Sequence, residues 1–338
     1  MRKNLNIELI RIIAMWLIVF GHIGVGYIPL GINGSPFFRD LMQRLCFFIP
    51  FHVNLFVLIS GFCGIKSIRG SIIKLWVLLF SYLLLIAIVD GFRGEEFDLW
   101  SLFLPLSHNP WWFMRIYCLL SIVAPVMDVL LRDIDERTWR KLLIVCLIVD
   151  LYAGFICQMQ TVDYDGYNLI HFITIYLTGR YLSRFDIKQL SIGKYALSKN
   201  HFLVCFFVVV IIKLGVHLIL KYVGVEDRYM DYNNPFNYIL SVCAFLYLLN
   251  LDVRQKGILF FSTSAVSVYL ITCHPSIETF LMEEYDELLI LFEGRIALEI
   301  LFTLLFVSGL FIGCVIIDKV RLFVIRRLLL YSTLLKKL

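Results

Sequence analysis

The chain predicts an all-α polytopic membrane fold of about ten transmembrane helices, and three observations carry that prediction. Apolar residues fill 60% of the 338 positions and charged residues 17%, with a mean hydropathy of +0.83, far from an ordinary soluble domain. The apolar residues gather in runs near or above the roughly 20 residues that cross a bilayer as helix. Lys and Arg fall between those runs, and unevenly. The runs place spans at 8–28, 46–65, 72–92, 112–131, 142–160, 169–183, 201–220, 236–251, 258–274 and 296–317. With the N-terminus in the cytoplasm, the inner connections, counted with the inner span ends at Lys74 and Arg180, hold 22 Lys and Arg and the outer ones 6; Arg11, Arg115 and Lys213 lie deeper within spans. That asymmetry follows the positive-inside rule and returns the C-terminus to the cytoplasm. The whole chain, 1–338, reads as one membrane domain with a core at 4–317 and a basic cytoplasmic tail at 318–338.

The first span carries three groups that are costly in a bilayer: Glu8, Arg11 and His22. Eleven steps of about 100° bring Arg11 and His22 within roughly 20° of one face, about 16 Å apart along the axis. An ionisable stripe of that length marks a pathway or a site. The basic start, Arg2 and Lys3, is signal-like, but the segment is long, lacks a small-residue cleavage pattern and contains Arg11, so it reads as retained. Residues 29–45, with Pro, Gly, Asn and Ser, read as an outer loop.

The second span begins near His52 and Asn54, read as polar caps, and contains NLFVLISGF, residues 54–62. Its Ser60-Gly61 pair serves either close helix packing or a substrate contact. Lys66, Arg69 and Lys74 follow on the inner side, as headgroup anchors or as contacts to donor phosphates. The fourth span begins in PWWFMRIYCLLSIVAPVMD, residues 110–128. Trp111 and Trp112 suit an interfacial belt, and Arg115, one turn inside, either snorkels or faces a polar cavity. Asp128 and Arg132, four apart, suit a helix-end ion pair.

Asp150 falls inside the fifth span and needs a partner; His171 lies near the outer end of the sixth. The basic segment 184–200 suits an interfacial helix, a donor surface or a solvated loop. Lys213 and His217 share one helix face and read either as part of a polar path or, the preferred reading, as snorkelling toward Lys221. The ninth span ends in YLITCHP, where Pro275 stops the helix and leaves His274 at the outer end. An acidic outer loop containing EEYDELLILFEG follows, and Glu299 in the tenth span is available to pair with a buried base. The tail suits a basic amphipathic segment on the inner leaflet.

The nine cysteines are scattered without a CxxC pair, which predicts neither a disulfide framework nor a zinc site. No phosphate-binding glycine loop, GxSxG or HExxH occurs. The basic residues follow membrane topology, which argues against nucleic-acid recognition. Any chemistry is expected inside the helical bundle.

Arg, ten residues, then His in the first membrane helix resembles the signature of the acyltransferase family 3 O-acyltransferases. Here it reads Arg11 to His22, with Glu8 in the acidic position that often precedes it, and NLFVLISGF, PWWFMRIYCLLSIVAPVMD and YLITCHP follow in the family's order. The resemblance runs from residue 4 to about 275. It implies a bacterial inner-membrane enzyme that moves an acyl group, usually acetyl, from acetyl-CoA to a hydroxyl of a surface glycan or lipid-linked sugar. Its partners would be acyl-CoA, the saccharide acceptor and membrane lipids, with acetyl-CoA as co-substrate and no bound cofactor or metal. The resemblance implies His22 as general base or acyl relay and Arg11 beside it. Glu8, Ser60, Trp112, Arg115 and His274 would serve as substrate contacts, with Lys66, Arg69 and Lys74 on the donor phosphates. Two rival classes remain: a glycan or lipid transporter or flippase using the same charges as gates, and an envelope scaffold in which they only pair with buried acids.

Overall fold

The computed structural model describes residues 4–24, 33–65, 68–94, 99–104, 111–159, 165–185, 191–192, 195–224 and 228–335. The described chain is helical apart from connecting turns and a two-residue antiparallel pair, Ser191–Ile192 with Tyr195–Ala196. Among the described residues, five helical segments are long and apolar enough to cross a membrane: Leu5–Ile23, Ile72–Arg93, Trp112–Leu130, Lys199–Val223 and Ile296–Arg327. Apolar side chains cover the outside of the long helices; Ile211 and Ile219 are 68% and 62% exposed. Water does not tolerate such a face, and lipid does.

The chain folds into two compact units. The first takes Met1–Gln43 and Arg254–Leu338. Its first helix, α1 (Leu5–Val19), starts on Asn4, whose side chain accepts the Asn6 N–H at 3.0 Å. The helix then widens into one π turn, Phe20–Gly24, which carries His22. A π residue advances less around the axis than an α residue, so His22 falls short of the position an ideal α-helix would give it. Helix α2 (Pro36–Cys46) begins within the stretch expected to be loop. Its start is held by Glu299, fully buried, which accepts both the Ser35 N–H and hydroxyl at 2.7 Å. Glu299 therefore caps a helix, where the sequence suggested a base as its partner.

The second unit, Arg44–Val253, is built on a crossing of α3 (Phe51–Cys63) and α8 (Leu169–Arg184). Glycines set their separation. A Cβ on Gly61 would stand 2.2 Å from the Tyr176 carbonyl oxygen, and one on Gly179 would stand 2.4 Å from that of Leu58. The small-residue reading of Ser60-Gly61 is thus realised as backbone approach. Around this pair lie α4 (Ile68–Arg93), the short α5 (Leu99–Phe103), α6 (Trp112–Leu130) and α7 (Glu136–Leu147) with its π continuation Ile148–Ile156. Helix α6 packs on α4 and α8, and α7 packs on α8. Beyond them, α9 (Lys199–Val223) and α10 (Pro235–Leu249) pack on each other, and α10 also on α3.

In the first unit the chain resumes with α11 (Ile258–Ser262) and α12 (Ala265–Thr272), two helices where one span was expected. At the interruption the Thr263 hydroxyl bonds the Leu259 and Phe260 carbonyls. The acidic stretch expected as loop is helix α13 (Pro275–Leu289), started by Pro275 at its first position. The last helix, α14, runs unbroken over 40 residues, Ile296–Leu335. At 1.5 Å per residue that is about 60 Å, twice the roughly 30 Å hydrocarbon core. The tail expected as a separate segment is therefore an extension of the final helix.

Candidate active site: a histidine–carboxylate pair on a widened turn

Helix α1 packs on α11, α12 and α14, while α13 packs against the π turn. Trp16 ties α1 to α14 through a 3.1 Å bond from its indole N–H to the Ser308 hydroxyl. This packing puts the charged stripe of α1 among helices from the far end of the sequence. Glu8 is buried, and its Oε2 accepts from Arg11 Nη1 at 2.6 Å. The pair is one turn apart, so the helix alone brings it together.

His22 meets a residue 256 positions away. Its Nδ1 stands 2.7 Å from Glu278 Oε1, and the two side chains are 24% and 15% exposed. Glu278 lies in the first turn of α13, and its backbone N–H donates to the His274 carbonyl at 2.7 Å. The Cys273 thiol comes within interaction range of the same imidazole. His274 itself caps α13, its Nδ1 2.9 Å from the Ser276 hydroxyl. The YLITCHP stretch therefore delivers a thiol and a second imidazole beside the turn that supplies Glu278. A carboxylate on Nδ1 holds the ring orientation and favours the tautomer whose lone pair is on Nε2, the arrangement general bases use. Among the described residues no group of three or more His, Cys, Asp or Glu side chains could hold a metal ion.

The other predicted residues belong to the second unit. The Ser60 hydroxyl donates to the Phe56 carbonyl at 2.9 Å and meets the Tyr117 hydroxyl at 3.1 Å. Trp112 stacks on Tyr232, ring centroids 5.4 Å apart, and lies against Tyr167 at 4.3 Å. Trp111, expected in an interfacial belt, is fully buried. Arg115 is exposed and Lys74 also. Lys66 and the Arg69 side chain lie outside the described residues.

Three pairings differ from their sequence readings. Asp128 bonds Arg180, Nε to Oδ1 at 2.9 Å, instead of Arg132. Lys213 is buried at 2% exposure and donates to the Phe47 carbonyl at 2.5 Å and to Asn237 Oδ1 at 2.8 Å. It points inward because carbonyl dipoles there replace the water that snorkelling would have sought. Asn54 is no cap: with His171 and Asp150 it forms a buried chain, His171 Nε2 to Asn54 Oδ1 at 2.9 Å and His171 Nδ1 to Asp150 Oδ2 at 2.8 Å.

Glu278 and Cys273 were not singled out from the sequence. The usable signal was Glu278's position at the third residue after Pro275, in the first turn of a helix started by proline.

Comparison with known families matches residues 4–319 to the acyltransferase family 3 profile, described as an acyltransferase domain. Searches of curated proteins and of solved structures give no match. The profile covers nearly the whole chain and begins at the cap of α1, so the Arg11–His22 stripe falls inside it. The chain belongs to acyltransferase family 3 and is a membrane protein of the acyl-transferring class.

Proposed function

We propose that the protein is a membrane O-acyltransferase that moves an acyl group, acetyl in the first instance, from acyl-CoA to a hydroxyl of a cell-surface glycan or lipid-linked sugar. The observation that carries the reading is the 2.7 Å contact of His22 with Glu278, partly open on both sides. His22 takes the proton of the acceptor hydroxyl as its oxygen attacks the thioester carbonyl, and Glu278 stabilises the resulting imidazolium. The CoA thiolate leaves and recovers that proton. In the acyl-relay variant the imidazole attacks the thioester first and the acceptor then attacks the acyl-imidazole. A burst of CoA equal to the enzyme concentration, with no acceptor present, identifies the relay; its absence identifies direct transfer.

The same reading gives the chain ten crossings and both termini in the cytoplasm, on the strength of its Lys and Arg distribution; a place in a bacterial inner membrane follows from the family alone. Glu8 holds Arg11 in place, and Arg115, Trp112, Ser60 and His274 remain candidates for substrate contact. Lys74 keeps its candidacy for the donor phosphates alongside Lys66 and Arg69.

His22→Ala is expected to abolish acyl transfer at unchanged membrane abundance, scored by loss of a substituent of about 42 Da from surface glycans. Full activity in that variant rejects the mechanism. One observation favours a transporter instead: the interruption between α11 and α12, a feature transporters place at substrate sites. That reading predicts glycan movement without acyl-CoA consumption, and loss of the whole glycan on deletion.

A further inference from the structure

Arg132 lacks the partner its position suggests. Asp128, one turn earlier, is taken by Arg180 and by the Tyr176 hydroxyl at 3.0 Å. Arg132 is exposed, and no side chain among the described residues pairs with its guanidinium. It lines a cavity of about 410 Å³ in the second unit, together with Arg180, Arg184, Asp128, Trp139 and Ile65. Among the lining residues three guanidiniums face one carboxylate. Like charges gathered around a void repel unless an anion sits among them.

The cavity is built for a ligand rather than merely left over. Arg184 donates Nη1 to the Leu131 carbonyl at 2.6 Å and Nη2 to that of Ile134 at 3.0 Å, and its guanidinium lies 5.3 Å from the Trp139 ring centroid. These contacts hold the fork in place while using two of its five N–H donors. Arg180 is held likewise through Nε. Trp139 is 2% exposed, and its indole N–H is buried with no acceptor among the described residues. That nitrogen is closed off from the cavity as well, so Trp139 serves the site through its ring, on which the Arg184 guanidinium rests. Ile65, Pro125, Val129 and Leu131 complete an apolar wall. The volume falls in the range of small-molecule sites, about 300–1,000 Å³.

We propose that this cavity binds the phosphates of an organic phosphate, with Arg132, Arg180 and Arg184 as the anion holders and the Trp139 ring positioning Arg184. Guanidinium forks suit phosphate oxygens in both geometry and charge. The connections that carry these residues are inner-side segments in the orientation given above. Resting on the acyl-CoA reading, the ligand is the nucleotide end of the donor; an anionic phospholipid headgroup offers the same chemistry.

The test uses the full chain in nanodiscs. In zwitterionic lipid, calorimetric titration with CoA is expected to show a Kd raised roughly tenfold in Arg132→Gln and partly recovered in Arg132→Lys. Arg132→Gln should unfold at the wild-type temperature without ligand, because its side chain is exposed. If CoA affinity is unchanged but phosphatidylglycerol co-purifies with wild type and not with Arg132→Gln, the site stands and its occupant is a lipid. If neither CoA nor lipid retention responds, the proposal is overturned. Arg132-dependent CoA binding in a protein that acylates no hydroxyl would sink the enzyme reading alone. Acyl transfer with an unchanged acetyl-CoA KM and unchanged lipid retention in Arg132→Gln would sink the site alone.

Discussion

Each unit of the molecule contains a histidine–carboxylate pair, and the two pairs differ in what surrounds them. His22 and Glu278 are 2.7 Å apart and 24% and 15% exposed; His171 and Asp150 are 2.8 Å apart and 1% and 0% exposed. Both involve a π-helical stretch, which carries His22 in one case and Asp150 in the other. The sealed pair has a third member. Asn54 donates its amide to the Tyr232 carbonyl at 3.1 Å, so its oxygen must accept from His171 Nε2 at 2.9 Å. Both nitrogens of His171 are thus engaged inside the protein, and a substrate could reach them only by breaking the chain. Similar chemistry is sealed in one unit and partly exposed in the other. A short His–carboxylate distance alone does not identify an active site.

That contrast can be broken or sharpened by mutation. The largest effect is expected at His22: replacing it by Ala should lower acyl transfer per folded molecule by about 10²–10⁴, with the thermal midpoint nearly unchanged. Asp150→Ala should do the reverse. Removing one partner of a buried pair costs about 3–5 kcal/mol, read as a lower unfolding midpoint in detergent, while the surviving folded enzyme keeps its specific activity. A variant that is fully stable but inactive would exchange the roles of the two pairs. Glu278→Gln should reduce kcat roughly tenfold to a hundredfold, the loss of one hydrogen bond to a charged group, without a matching rise in KM. An unaltered kcat would leave His22 without its proposed orienting partner. Smaller again is Gly61→Ala, where the new Cβ would lie 2.2 Å from the Tyr176 carbonyl oxygen. Forcing α3 from α8 should cost about 1–3 kcal/mol in stability, and an unchanged midpoint would mean the two helices part without loss of packing.

Hydropathy and charge placement were enough to read the class of the fold, because the bilayer imposes its demands on every local window of sequence. That Glu8, Arg11 and His22 lie in one apolar span was legible for the same reason, whereas the π turn under His22 breaks the periodicity that relates it to Arg11. Even there, the pairing of Arg11 with Glu8 was within reach only because they are one turn apart.

What periodicity could not supply was the partner of each polar group across the fold. Asp128 had an attractive neighbour four residues on and bonded Arg180, 52 residues away, instead. Lys213 found carbonyls, Glu299 found a serine cap, and Asp150 found His171. His22 chose Glu278, one of 26 acidic residues in the chain and 256 positions distant. Local spacing has no term for such choices. A buried charge takes whichever complementary group packing brings within about 3 Å, so composition decided that this chain lives in a membrane, and only the assembled helices decided which histidine–carboxylate pair was sealed and which stayed partly exposed.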